Sequence, residues 1–196
     1  SLIVCGAVRV KRTQVIPLID AMSIEARITI ESDWRSSPTV VLQTHVVERE
    51  SRKRVSIVDR IDHLSTRSEE MIATMIKLDG VKLWSPEHPF LYELVVDVYA
   101  NGRYVDQHRT VFGMREFRVV EGDFILNGKK IFLRGSNIAF HRFLSDPQRR
   151  LLPWDLDWAK RVLIDIPKQN YFNVFRIHLG QAYNRWYDLA DQYGML

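Results

Sequence analysis

Leu91-Tyr92-Glu93-Leu94-Val95-Val96-Asp97-Val98-Tyr99, then Asn101-Gly102, then Tyr104 to Phe112: these residues decide the fold of the first half of the chain. Tyr92, Leu94, Val96 and Val98 fall on one face of an extended run, and the alternation marks a strand with its apolar side turned inward. Asn-Gly between two such runs is a strong hairpin signal, because both residues tolerate the positive φ of a tight turn. Working outward, Ile24, Ala26, Ile28 and Ile30 alternate with Glu25, Arg27, Thr29 and Glu31. Thr39 to Glu48 is a β-branched run after the turn-like Ser36-Ser37-Pro38, and Ile72, Thr74, Ile76 and Leu78 share one side of Met71 to Leu78. Short antiparallel strands with turn breaks, spread over roughly a hundred residues, predict an all-β sandwich of immunoglobulin type over 1–118.

The period changes after residue 120. Phe124 to Leu126, Asn127-Gly128 and Ile131 to Leu133 predict one more hairpin. Trp158, Val162 and Ile166 lie on one face of a helix from about Asp155 to Lys168, and Asn173 to Leu179 is a short apolar strand. Trp186, Leu189, Ala190 and Tyr193 form the apolar stripe of a last helix, with Gly194 as its C-cap. Strand, helix, strand, helix in this order predicts parallel strands with right-handed crossovers over 119–196. A (β/α)₈ barrel takes about 250 residues, roughly 30 per unit. Two units fit between Phe124 and Leu196, so the expectation is a truncated α/β segment rather than a closed barrel.

The chain has 196 residues, 46% of them hydrophobic and 27% charged, which excludes a disordered or collagen-like chain. No apolar run approaches the ~20 residues of a membrane span. The net charge is +4, but Arg and Lys are scattered, and the dense run Arg49 to Arg54 also holds Glu50, so no nucleic-acid partner is expected. The single cysteine, Cys5, excludes an internal disulfide and a thiolate metal cage, and leaves the compartment open. His45, His63, His88, His108 and His141 show no metal-ligand spacing. Phosphate-cradling glycine motifs and Gly-x-Ser-x-Gly are absent, so neither a nucleotide cofactor nor serine-hydrolase chemistry is expected, and no cofactor of another kind is implied.

Four strings carry a family resemblance. Leu83-Trp84-Ser85-Pro86-Glu87-His88-Pro89-Phe90-Leu91-Tyr92, Phe112-Gly113-Met114-Arg115, Phe124 to Lys129 with Phe132-Leu133-Arg134-Gly135-Ser136-Asn137, and Asn173-Val174-Phe175-Arg176 with Trp186 to Gly194 stand in order along the chain. Together they resemble glycoside hydrolase family 2, which holds β-galactosidases, β-glucuronidases and β-mannosidases. The resemblance implies an immunoglobulin-like domain followed by the first two βα units of a (β/α)₈ barrel, and a carbohydrate substrate for the parent enzyme. Two positions depart from the common pattern: Ala139 stands where many members have His, and Leu179-Gly180 replaces a His-Tyr-Pro turn. These departures bring the chain closer to the mannosidase-like branch than to the galactosidases.

Retaining glycosidases use two carboxylates about 5 Å apart, and the resemblance assigns both to glutamates on later barrel strands. No glutamate follows Glu121. Asp123, Asp146, Asp155, Asp157, Asp165, Asp188 and Asp191 read as capping or surface residues. No catalytic pair is therefore expected, and the chain alone should be inactive. Period two places Arg176 and His178 on one face of the second strand, with Ile131, Leu133 and Asn137 on one face of the first. Barrel sites form at the C-terminal ends of strands, so Asn137, Arg176 and His178 are the candidate substrate-binding residues. By resemblance, Arg176 keeps the nucleophile carboxylate ionised and Asn137 lines the subsite of the terminal sugar. Arg176 paired with an aspartate, His178 as an interior histidine and Asn137 as a strand-end turn residue are the plain structural alternatives. Trp154 near the rim is a further stacking candidate, whereas Trp84 and Tyr92 read as core.

Two other readings of the chain stay open. A sandwich can serve as a carbohydrate-binding or scaffold module, and residues 124–196 could complete a small α+β protein. If the barrel segment is open, its exposed strand edges predict self-association, or docking of its helices onto the sandwich.

Overall fold

The computed structural model describes residues 7–34, 38–63 and 68–196. Cys5 and the predicted Ser36-Ser37 turn lie outside the described residues. The chain divides into two compact units, residues 1–82 with 91–114, and residues 83–90 with 115–196. Relative to a division at residue 118, Leu83–Phe90 and 115–118 group with the second unit.

The first unit is an immunoglobulin-like β-sandwich. One sheet holds β1 (Val8–Leu18), β2 (Ser23–Ser32) and β5 (Glu69–Lys77) in the order β1-β2-β5. The other holds β3 (Thr39–Glu48), β4 (Arg54–His63), β6 (Leu91–Ala100) and β7 (Arg103–Gly113) in the order β4-β3-β6-β7. All pairings are antiparallel. Register explains the core. Ile24 faces Ile76 and Ile28 faces Ile72 in one sheet, while Leu42 faces Val98 and Val46 faces Leu94 in the other. All eight side chains are buried. Each such aliphatic side chain contributes about 1.5–3 kcal/mol on leaving water, and a slip of one residue would turn the whole set outward. Tyr92 is also buried, stacked on Phe112 with ring centroids 5.7 Å apart. Asn101 and Gly102 take φ of 49° and 76°, the left-handed pair that the β6–β7 hairpin requires.

Two strands escape the alternation read from the sequence. β1 carries Pro17, and its register shifts between Val10 and Arg12. At this bulge the Val10 N–H donates to Asp106 Oδ2 of β7 at 2.8 Å instead of to a neighbouring strand. β4 follows directly on the charged run ending at Arg54, and that run masks its start.

The second unit begins with a small antiparallel sheet, β8 (Phe117–Val120), β9 (Asp123–Leu126) and β10 (Lys129–Lys130). The expected Ile131 to Leu133 arm is corrected: its strand is only Lys129–Lys130, although the Ile131 N–H still reaches Phe124 O at 2.9 Å. Then come β11 (Gly135–Ile138), α1 (Phe140–Leu144), a 3₁₀ turn (Leu152–Trp154), α2 (Leu156–Lys160), a π-helical stretch (Arg161–Asp165), α3 (Ile166–Gln169), β12 (Val174–Ile177) and α4 (Asn184–Tyr193). β11 and β12 pair in parallel. The first strand of the parallel pair therefore starts at Gly135, and Ile131 and Leu133 precede it.

The helix between them matches the predicted span but is not uniformly α. Pro167 has no N–H for Leu163 and its ring crowds that turn, and the chain winds out into the π-helical stretch just before it. Asp155 caps the helix start, accepting from the N–H groups of Asp157 and Trp158 at 3.0 Å. Gly194 at φ 75° ends α4, and there a Cβ would lie 2.2 Å from Pro86 O. Beside this cap the Lys168 ammonium donates to the carbonyls of Pro86, Tyr193 and Gly194 at 2.7, 2.8 and 3.1 Å. A cation on the last carbonyls complements the negative end of the helix dipole.

Trp84 is wholly buried in this unit. Its indole N–H donates to Asp191 O at 2.7 Å, and its carbonyl accepts from Asn127 Nδ2 at 2.9 Å. The Arg115 guanidinium lies 4.2 Å from the ring centroid and bonds Asp191 Oδ1 at 2.8 Å. These bonds explain why Leu83–Phe90 groups with residues after 115.

Two predictions follow from this packing. A Cβ on Gly135 would lie 1.8 Å from the Val174 carbonyl oxygen, a backbone atom that cannot swing aside. Gly135→Ala should therefore open the β11–β12 pair, read as lost amide protection from Gly135 to Ile138 while β2 and β6 keep theirs. The second concerns His45 on the outer face of the four-stranded sheet. Burial lowers its pKa below the ordinary 6.5, with Arg54, Arg109 and Arg52 adding to this and Asp97, 3.8 Å away, opposing it. The unfolded chain then binds the proton first, so stability falls as pH drops below 6.5. Burial pushes Glu93 up, but its bonds from Arg52 and Arg109 outweigh that and hold it below 4.5, so a second loss begins there. In denaturation at stepped pH, His45→Gln should flatten the first decline and leave the second.

Candidate functional site

The parallel pair sets the candidate site. In register, Asn137 of β11 stands opposite Arg176 of β12, and the His178 N–H donates to Ile138 O at 2.7 Å just past the strand. The sheet is held at its other end by Asn173, a buried polar residue with both amide groups satisfied. Its Oδ1 accepts from the Arg134 N–H at 2.8 Å, and its Nδ2 donates to Phe132 O at 2.9 Å. Leaving such a buried group unpaired costs about 1–3 kcal/mol, so the entry into both strands is fixed.

Phe175 and Ile177 turn to the helices, where they pack against a cluster of Ala159, Leu163, Ile164, Ala182, Trp186 and Met195. Arg176 and His178 turn the opposite way, as period two requires. The three candidate residues meet. Arg176 Nη1 lies 3.4 Å from Asn137 Oδ1, as donor, and 3.1 Å from His178 Nδ1. A guanidinium can only donate, so His178 Nδ1 accepts and the ring carries its proton on Nε2. Among the described residues Arg176 has no carboxylate partner. The alternative in which it pairs with an aspartate is not what the structure shows.

The aspartates are engaged elsewhere. Asp123 pairs with Lys130, Asp146 with Arg149, Asp165 with Lys160, Asp188 with Arg185 and Asp191 with Arg115. Asp155 caps α2, and Asp157 lies in its first turn. Among the described residues, no group of three His, Cys, Asp or Glu side chains gathers as a metal site.

A cavity of about 570 Å³ opens over these strand ends, lined by Asn137, Ile138, Ala139, Arg142, Phe143, Arg149 and His178. Aromatic contacts hold its wall. Phe140 meets Trp154 and Trp186 edge-on at 5.5 and 5.3 Å, and Phe143 meets Trp158 at 5.3 Å. The Trp186 indole N–H donates to Pro153 O at 2.9 Å. Trp154 keeps 47% of its surface exposed, but it does not line this cavity. Beyond His178 the chain turns sharply, with Leu179 at φ 55° and Gly180 at 119°. A non-glycine residue held left-handed at a strand end is a strained position of the sort found at ligand sites. Arg142, Phe143 and Arg149 were not foreseen from the sequence. They lie in an aperiodic segment, and only the rule that barrel sites form beyond the strand ends points to it.

The arginine–imidazole contact predicts a measurable tautomer. The ¹⁵N shifts of His178 should report the Nε2–H form in the wild-type chain. Arg176→Met should release Nδ1 and mix the two forms, without moving the amides of the sandwich.

The chain is similar to known proteins. The profile of the family described as "Glycosyl hydrolases family 2" matches residues 8–115. A beta-galactosidase of Vibrio vulnificus (strain CMCP6) is 31% identical over 137 residues, covering 69% of this chain and 13% of that protein. A beta-galactosidase of Streptococcus thermophilus is 32% identical over 122 residues, 61% of this chain and 11% of that protein. The chain thus spans about an eighth of the length of these relatives. Among solved structures, a glycosyl hydrolase family 2 member from Bacteroides cellulosilyticus superposes with a TM-score of 0.85 at 19% identity, over 97% of this chain and 24% of that one. A beta-glucuronidase of the same family gives 0.83 at 16% identity, over 97% and 21%. These structures share the fold, and the profile match across more than half of the sequence shows that the chain belongs to glycosyl hydrolase family 2.

Proposed function

We propose that this chain is part of a retaining exo-β-glycosidase. In this reading residues 1–118 form its immunoglobulin-like domain and residues 119–196 the first two βα units of its (β/α)₈ barrel. The observation that carries the reading is the meeting of Asn137, Arg176 and His178 at the C-terminal ends of two parallel strands, around a guanidinium with no carboxylate partner among the described residues. Barrel enzymes build their sites at this end. A second observation supports the barrel. The Leu196 N–H donates to Asn173 O at 2.8 Å, and Leu196 O accepts from the Phe175 N–H at 2.9 Å. That pattern is a parallel bridge on the free edge of β12, where a third strand would lie.

In the mechanism, the residues of this chain bind and orient, and the two carboxylates come from later barrel strands. Asn137 and His178 Nε2–H offer hydrogen bonds to the hydroxyls of the terminal sugar. Arg176, fixed between them, lowers the pKa of the carboxylate that attacks the anomeric carbon and keeps it ionised. The second carboxyl protonates the leaving oxygen and then activates the water that releases the sugar with retention. The chain without those carboxylates hydrolyses nothing.

Intact mass and activity of the native protein test this. A product several times the 23.0 kDa of this chain should cleave aryl β-glycosides with retention, whereas the 196-residue chain should match a mock preparation. In that product Arg176→Met should lower kcat/KM about 100-fold or more, as loss of a transition-state electrostatic partner does. A native 23.0 kDa protein that binds glycans without cleaving them would instead make the chain a carbohydrate-binding module.

A further inference from the structure

Two Asn-Gly pairs stand in this chain, Asn101-Gly102 and Asn127-Gly128, and both form left-handed hairpin turns. φ is 49° and 76° in the first and 52° and 75° in the second, so the backbone does not distinguish them. Each hairpin has two regular residue pairs next to its turn, so the work of opening does not distinguish them either. A Cβ on Gly102 or Gly128 would meet nothing within 4 Å, and both glycine nitrogens are sterically open. One reaction is therefore available to both turns: attack of the glycine nitrogen on the asparagine amide carbon, which closes a five-membered ring.

The asparagine side chains differ. Asn127 is held at both ends of its amide. Its Oδ1 accepts from the Glu116 N–H at 2.9 Å, and its Nδ2 donates to the carbonyl of the buried Trp84 at 2.9 Å. Loss of Nδ2 would leave the Trp84 carbonyl without that donor, which opposes ring closure. Asn101 is exposed and held at one end of its amide only. Its Oδ1 accepts from the Thr39 N–H at 3.0 Å, and its backbone N–H donates to Thr39 O at 2.9 Å. Its Nδ2 makes no hydrogen bond among the described residues. The Thr39 N–H polarises the side-chain carbonyl and stabilises the oxyanion that forms when Cγ is attacked. Nothing ties down the nitrogen that has to leave.

We propose that Asn101 is a deamidation site, converted in the folded protein to aspartate and isoaspartate, while the bonds of Asn127 protect the second Asn-Gly pair. The turn rotates about the Asn101 Cα–C bond, and the Gly102 nitrogen gives up its proton and bonds to Cγ. The Cγ–Nδ2 bond breaks, and the amide nitrogen takes up that proton and departs as ammonia. Water then opens the cyclic imide, adding its hydroxyl to a carbonyl carbon and its proton to the Gly102 nitrogen. Opening at the side-chain carbonyl gives aspartate, which still accepts from Thr39 and lowers the net charge of +4 by one. Opening at the backbone carbonyl gives isoaspartate, which routes the main chain through the side-chain methylene, lengthens the turn and releases Thr39. Neither product involves Asn137, Arg176 or His178, so the glycosidase reading can fail without touching this one.

The full chain is incubated at mildly alkaline pH, folded and in parallel unfolded in urea, and then digested with trypsin. The two sites fall in separate peptides, Leu83–Arg103 and Val119–Lys129. Exchange of ammonia for water raises the peptide mass, and the aspartate and isoaspartate forms separate by chromatography. In the folded chain Asn101 should convert about tenfold or more faster than Asn127, the effect of one retained bond to a buried carbonyl. In urea the two rates should agree within about threefold, because neither side chain keeps its partners. Asn101→Gln, which would have to close a larger ring, should abolish the mass gain in Leu83–Arg103 and leave the other peptide unchanged. In the isoaspartate fraction the Thr39 amide should lose its protection from exchange. Equal rates in the folded chain, or a faster Asn127, overturn the proposal. A tenfold difference that persists in urea overturns it too, since sequence neighbours would then be the cause. No conversion of folded Asn101 in a time that converts the unfolded chain also overturns it, and shows that the turn keeps the Gly102 nitrogen away from Cγ.

Discussion

The parallel hydrogen bonding of β11 to β12 is the constraint on which the second unit depends. Four residue pairs, from Gly135–Val174 to Ile138–Ile177, decide which side chains meet. Gly135 gives the strands their approach, because any side chain there would strike the Val174 carbonyl. Asn173 fixes where pairing begins by bonding both neighbouring backbone segments. With the start fixed, Asn137 must lie opposite Arg176, and alternation sends Phe175 and Ile177 to the helices while Arg176 and His178 face the other way. A shift by one residue would bury the guanidinium among Leu163, Ile164 and Trp186, at a cost of several kcal/mol. The hydrophobic layer thus specifies the register, and the register assembles the polar site.

That division of labour also explains what the sequence made legible. Strands whose apolar residues alternate, such as Ile24 to Ile30 and Leu91 to Tyr99, are readable because one face is buried and the other wet. The same rule placed Arg176 with His178 and separated them from Phe175 and Ile177. β1 and β4 were hidden by local exceptions, a bulge with Pro17 in one and a run of basic residues before the other. The start of β11 was placed too early, since Ile131 and Leu133 look like strand residues but pass outside the sheet. Their apolar character says that they prefer burial, without saying in which element.

The candidate site was legible at its floor and not at its walls. Asn137, Arg176 and His178 sit on or beside regular strands, where spacing determines direction. Arg142, Phe143 and Arg149 belong to a segment whose form is set by tertiary contacts, chiefly aromatic edges against Trp154, Trp158 and Trp186. Periodicity cannot report such contacts, because their partners lie on other elements. The left-handed Leu179 is equally silent in sequence, since leucine is a poor predictor of positive φ and is held there only by what surrounds it.

Charge distribution then separates structure from function. After Glu121 the acidic side chains are all aspartates, and each has a local task as a salt-bridge partner or at the start of a helix. Arg176 has no carboxylate partner among the described residues, and it stands at the C-terminal end of the parallel pair. Arg176 is additionally held by Asn137 and His178, neither of which can neutralise it, so the contacts orient the guanidinium while preserving its charge. Orientation without neutralisation serves a group that meets a negative charge from outside its own segment. In the proposed enzyme that charge is a carboxylate on a later barrel strand.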